Sequence, residues 1–182
     1  QIEPTAVDAE SHVLSFFPSI YSPWINTRLL KPEQAPNSFY DLLKPQWKGK
    51  IIGHDPNVSS ALYSIFVPLV NARALNWDYV RALGGLEMRL TPGPAQAAEM
   101  LSRGELPLVL GNGDSTTARF VLEGAPIKAI SFQEGNVAYV GGVVAIKDAP
   151  HPNAARVLSN WLLSEEGQRL NGETRSIALI RK

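Results

Sequence analysis

The chain has 182 residues, of which 45% are hydrophobic and 19% charged, the composition of one ordinary globular domain or one large lobe. It contains no cysteine, which excludes disulfide scaffolds, thiolate zinc sites and cysteine nucleophiles. Seventeen Lys and Arg balance seventeen Asp and Glu, so the basic excess of a general nucleic-acid binder is missing. No apolar run reaches the roughly 18 residues of a membrane span. The opening Gln1-Ile2-Glu3-Pro4-Thr5 has no initiating Met and no signal-peptide pattern. The expectation is a processed form or a fragment.

In chain order, residues 13–18 read as an extended segment ending at Pro18, and residues 19–30 as an aromatic stretch crossing between lobes. Pro32 and Pro36 mark a loop. Ser38 and Asp41 have capping-box spacing for a short helix that Pro45 stops. Ile51-Ile52-Gly53 is a short buried strand. Residues 55–60 form a polar loop, after which Leu62, Ile65, Phe66, Leu69 and Val70 fall at helical spacing. Pro68 predicts a kink or an early end to that helix. Asn76 caps a second helix with Trp77, Val80 and Leu83 inward, closed by Gly84-Gly85. A strand over 87–90 precedes a helix carrying Ala97, Met100 and Leu101, which Gly104 ends. Leu108-Val109-Leu110 is the next strand, and residues 111–117 a second polar loop. A helix from Ala118 with Val121 and Leu122 comes next, closed by Gly124. Strands are predicted over 127–132 and 138–146. Pro152 opens the last long helix, with Ala155, Leu158, Trp161 and Leu162 on its buried side. Glu165 and Glu166 suit the start of one more helix. Strands alternating with helices imply βα units and an α/β sheet covered by helices.

Two polar loops are therefore expected to succeed buried strands and precede helices. Ligands of open α/β sheets sit outside the carboxyl ends of the strands, where helix N-termini present free N–H groups and partial positive charge. Ser59, Ser60, Ser115, Thr116 and Thr117 add hydroxyls, and Asn57 and Asn112 add amides. The set suits a polar or anionic solute held without covalent chemistry. The same residues also read as plain helix caps and turn formers. The three histidines, His12, His54 and His151, lie far apart, so no local metal pair forms. No G-x-S-x-G elbow, P-loop or complete dinucleotide glycine motif occurs. Of the aromatics, Trp77 and Trp161 read as core residues, whereas Tyr21 and Tyr139 are candidates to line a cleft.

The run Pro36-Asn37-Ser38-Phe39-Tyr40-Asp41-Leu42-Leu43-Lys44-Pro45-Gln46-Trp47-Lys48-Gly49-Lys50-Ile51 resembles a signature of bacterial extracellular solute-binding proteins. The branch is the ferric-iron, thiamine, phosphonate and polyamine-like group of ABC-importer receptors. Gly124-Ala125-Pro126-Ile127-Lys128, Glu134-Gly135 and Gly141-Gly142-Val143-Val144-Ala145-Ile146 match in the same order. So do Ala149-Pro150-His151-Pro152-Asn153-Ala154-Ala155 and Trp161-Leu162-Leu163-Ser164-Glu165-Glu166-Gly167-Gln168. The resemblance runs from about Tyr21 to Gln168, and its specificity lies in the combination. The family's iron binders carry adjacent tyrosines in the loop after the strand at Leu108-Val109-Leu110. Here that loop reads Gly111-Asn112-Gly113-Asp114, which speaks against phenolate ligation of Fe(III).

The resemblance implies an α/β, periplasmic-binding-protein-like (type II) lobe, a mixed sheet flanked by helices, from a two-lobed protein that closes on its ligand. Residues 1–24 are expected to cross from an absent N-terminal lobe. Residues 25–135 form the second lobe, and 136–182 a return strand and helices belonging partly to the first. The expected ligand contacts are Ser59, Ser60, Asn112, Asp114, Ser115 and Tyr139, with no metal, cofactor or catalytic residue. The expected partners are a small solute and the membrane permease of an ABC importer, with no nucleic acid. The full-length protein is expected to be a monomer, periplasmic or extracellular and membrane-tethered. Asp114 leaves the charge of the ligand open, because a carboxylate favours an amine while hydroxyls and helix ends favour an anion. Two other readings stay open: an enzyme on the same fold, thiaminase- or deaminase-like, and the effector-sensing lobe of a regulator.

Overall fold

Strand β4, Leu108–Gly113, is buried at every position. A central strand with both faces covered has this pattern, and the neighbouring side chains show why. Leu108 and Leu110 join one apolar cluster while Val109 joins another. Ile51 and Ile52 of β2, Ile51–His54, divide in the same way. Successive side chains of a strand point to opposite faces, so the sheet is packed on both.

The computed structural model describes residues 14–59 and 61–174. They fall into two units. The larger is Ile20–Val137, and the smaller combines Gln1–Ser19 with Ala138–Lys182. In the larger unit the strand order is β3-β2-β4-β1-β5, with β1 Leu14–Asn26, β3 Arg89–Thr91 and β5 Ile127–Ala129. β2 runs parallel to both β3 and β4. β1 is antiparallel to β4 and β5, with an irregular register between Ser22 and Trp24, where Pro23 interrupts the ladder. The helices are α1 Ala61–Asn71, α2 Trp77–Ala82, α3 Pro94–Arg103 and α4 Asp114–Leu122.

One face of the sheet packs on α1, α2 and the short 3-10 helix Phe39–Leu43 through Leu62, Ile65, Phe66, Tyr79, Phe39 and Leu42. Phe39 stands edge-on to Phe66, Tyr79 and Phe132, the arrangement that aromatic quadrupoles favour. The other face packs on α3 through Ala97, Met100 and Leu101. Each large side chain removed from water here contributes about 1.5–3 kcal/mol. The caps agree with the sequence. Asn76 accepts from the Tyr79 N–H at 2.8 Å, and Gly104 ends α3 with φ +74°. Ser38 accepts from the Tyr40 N–H and donates to Glu134, whose carboxylate also takes the Phe39 N–H.

In the smaller unit, β6, Val137–Val143, pairs with β1. The helices α5, Pro152–Leu162, and α6, Glu165–Thr174, pack together. In the first turn of α6, a Cβ on Gly167 would lie 2.1 Å from the Trp161 carbonyl oxygen of α5, so only glycine fits there.

Several sequence expectations are corrected. β1 does not end at Pro18 but runs to Asn26. β4 continues through Gly111, Asn112 and Gly113, and α4 begins at Asp114 instead of Ala118. Much of the expected second loop is therefore strand and first helical turn. In α2 the buried residue is Tyr79, while Trp77 is 51% exposed, because the aromatic cluster around Phe39 draws Tyr79 inward. Val121 and Leu122 are exposed on α4. No residue of α5 is buried, and Leu158 and Trp161 are 57% and 42% exposed. The buried tryptophans are Trp24 and Trp47. The helix through Pro68 ends at Asn71, within a turn of it.

Gly111 has φ +75°, and a Cβ there would meet Ile65 Cδ1 at 1.9 Å. Gly111→Ala is expected to destabilise the protein by about 2 kcal/mol through left-handed backbone and overpacking. Gly84, with nothing within 4 Å, supplies the control: Gly84→Ala should leave the stability measured by urea unfolding within about 0.5 kcal/mol of the parent.

Candidate ligand-binding site

β2 and β4 are parallel neighbours, with Ile51 opposite Leu108 and Ile52 opposite Val109. Their carboxyl ends therefore lie side by side. β2 leads into the loop 55–59 and then α1, and β4 leads directly into the first turn of α4. The two polar segments read from the sequence thus arise at one end of the sheet.

The first segment is built on Asp55. Its N–H donates to the Thr91 carbonyl at 2.8 Å, which pins it to β3. Its Oδ1 accepts from the Asn57 N–H and side chain, and its carbonyl accepts from the Val58 and Ser59 N–H groups. Ser59 is half-buried, and its hydroxyl accepts from the Ala61 N–H at 3.3 Å. Ser60 lies outside the described residues.

The second segment is anchored by Asn112, a residue expected to meet ligand. It is fully buried. Its Nδ2 donates to the Pro94 carbonyl at 3.0 Å and to the Thr117 hydroxyl at 2.9 Å. Its own carbonyl accepts from the Trp24 indole, so it ties β1, α3 and α4 together. Thr117 is buried and donates to the Gly113 carbonyl. Asp114 and Ser115 open α4 and are half-buried. The Asp114 carboxylate accepts from the Ser115 N–H at 2.7 Å, and it suits the positive end of the helix dipole. Tyr139 lies on β6, 38% exposed, and belongs to the smaller unit.

From its sequence context His54 raises only the question of metal ligation. It ends β2 and is fully buried. Neither ring nitrogen has a partner in good hydrogen-bond geometry, nor does Asn112 Oδ1. Burial pushes the imidazole pKa below its ordinary value, opposed in part by the Gly111 backbone and the Asn112 side chain. Among the described residues, no three His, Asp or Glu side chains gather as a metal site. No described helix is long and apolar enough to cross a membrane.

A depressed histidine pKa means that the unfolded chain binds the proton more readily, so folding stability falls as pH drops below 6.5. The urea midpoint is expected to decline from about pH 7 to about pH 5.5, and His54→Gln should flatten that decline. An unchanged slope in the variant would assign the loss to other groups.

Known proteins share this architecture. The family model described as bacterial extracellular solute-binding protein matches residues 7–175. An uncharacterized protein of Haemophilus influenzae is 26% identical over 167 residues, covering 87% of this chain and 47% of the relative. The chain thus spans about half the length of that curated relative. The periplasmic binding protein AfuA from Actinobacillus pleuropneumoniae, solved with exogenous fructose-6-phosphate bound, is 26% identical with a TM-score of 0.78. That match covers 96% of this chain and 57% of AfuA. Iron-bound HitA from Pseudomonas aeruginosa has a TM-score of 0.80 at 20% identity, over 96% of this chain and 58% of HitA, a likeness of fold alone. The expected mixed α/β architecture is that of these neighbours. With the family match running almost end to end, the chain belongs to the bacterial extracellular solute-binding proteins.

Proposed function

We propose that this chain is the ligand-binding part of the receptor of an ABC importer, capturing a small polar or anionic solute without catalysis. The observation that carries the reading is the juxtaposition of two polar segments at the carboxyl ends of the parallel strands β2 and β4, where open α/β sheets hold their ligands. Ser59, Ser60, Asp114 and Ser115 supply the polar contacts, and Asn112 sets the frame that positions α4. Tyr139 enters from the sequence alone.

The segment after β4 carries no tyrosine, which favours an organic or phosphorylated solute over Fe(III). AfuA, at 26% identity, was solved with fructose-6-phosphate, which makes hydroxylated phosphates the first compounds to try. The partners in this reading are the solute and a membrane permease. The full-length protein acts as a monomer, periplasmic or extracellular and membrane-tethered.

The test is thermal unfolding and calorimetric titration of the chain with fructose-6-phosphate, inorganic phosphate and ferric citrate. Binding by one of the first two raises Tm by mass action, and mass spectrometry recovers the solute unchanged. Ser115→Ala weakens that binding by about 1 kcal/mol, the value of one neutral hydrogen bond. Stabilisation by ferric citrate alone, or conversion of the solute to product, overturns the proposal.

A further inference from the structure

β1 and β4 pair as an antiparallel ladder, with Ser22 opposite Asn112 and Tyr21 opposite Gly113. The next rung sets Ile20 against Asp114. There the backbone has left the strand and entered α4, so the ladder has run out of strand on that side. The Asp114 side chain takes over as acceptor: its Oδ1 receives the Ile20 N–H at 3.1 Å while also receiving the Ser115 N–H at 2.7 Å. One carboxylate oxygen thus holds both the first turn of α4 and the end of the β1 ladder. Ile20 is also the first residue of the larger unit, and Ser19 the last of the N-terminal segment assigned to the smaller one. The first residue of the larger unit is therefore fastened to the segment that carries Ser115.

We propose that Asp114 is a positioning residue that prolongs the β1–β4 ladder by one rung and makes the start of α4 and β1 at Ile20 move as one piece. Its Oδ1 accepts from two backbone donors, so beside the contact proposed for it above it serves the ligand through the placement of Ser115. This inference rests on the receptor reading only in treating the start of α4 as a ligand segment.

The experiment is amide hydrogen exchange, monitored by NMR on the full 182-residue chain, for the parent, Asp114→Ala and Asp114→Asn. Asparagine keeps an acceptor oxygen and alanine does not. The Asn26 N–H, which donates to the Pro107 carbonyl at 3.0 Å, reports on the far end of β1. Asp114→Ala is expected to speed exchange at Ile20 by about tenfold, the effect of losing one charge-assisted bond, with Asn26 unchanged. Asp114→Asn should restore Ile20 to within about threefold of the parent. Equal Ile20 exchange in all three proteins overturns the proposal. So does loosening of Ile20 and Asn26 together in the alanine variant, or failure of asparagine to restore. No solute is needed, so the result stands apart from the receptor reading. That reading fails separately if fructose-6-phosphate and inorganic phosphate both leave the parent unbound.

Discussion

The burial of Asn112 is the constraint on which the proposed ligand end of the larger unit depends. A side-chain amide removed from water must find partners or lose about 1–3 kcal/mol per group left unpaired. Asn112 meets this through its Nδ2, which reaches the Pro94 carbonyl at the start of α3 and the Thr117 hydroxyl in α4, while its Oδ1 stays without a partner in good hydrogen-bond geometry. Its backbone carbonyl holds the Trp24 indole of β1. One residue therefore sets the relative positions of two helix starts and the neighbouring strand. The polar groups expected to meet a solute, Ser115 among them, inherit their positions from it.

A second consequence concerns charge. Both polar segments contain a carboxylate, Asp55 in one and Asp114 in the other, and both are committed to nearby backbone and side-chain donors. They rigidify the segments from within, as a binding site needs if ordering is not to be charged against affinity. His54 at the end of β2 contributes neutrality: burial lowers its pKa, so near neutral pH its imidazole adds no positive charge there. In the proposed site, hydroxyls and backbone N–H groups are the groups left to select a polar or phosphorylated solute.

Much of this is legible in the sequence. The alternation of Ile51-Ile52 and Leu108-Val109-Leu110 across two apolar clusters, the Asn76 cap and the Gly104 stop are local signals, and local signals read well. The order of family motifs carries the fold further than periodicity can. The departures have physical causes. Trp77 and Trp161 are large and apolar, yet their burial is decided by what lies opposite them, which spacing does not encode; Tyr79 takes the interior position because Phe39 and Phe66 surround it. Gly111-Asn112-Gly113 has loop composition but lies within β4, because β1 and β2 pair with that strand and tertiary pairing overrides propensity. The buried role of Asn112 and the Asp114–Ile20 bond join residues far apart in sequence, so no spacing rule could find them. His54 carries one available signal, its place at the end of a fully buried strand.

The central claim is that solute is held at the carboxyl ends of β2 and β4. The most direct measurement is a titration of the isotopically labelled chain with fructose-6-phosphate, read out by backbone amide chemical shifts. The largest shifts are expected on residues 55–59 and 113–117, with the core amides of α3 unmoved. Saturable shifts centred elsewhere in the larger unit, with these two segments silent, would contradict it.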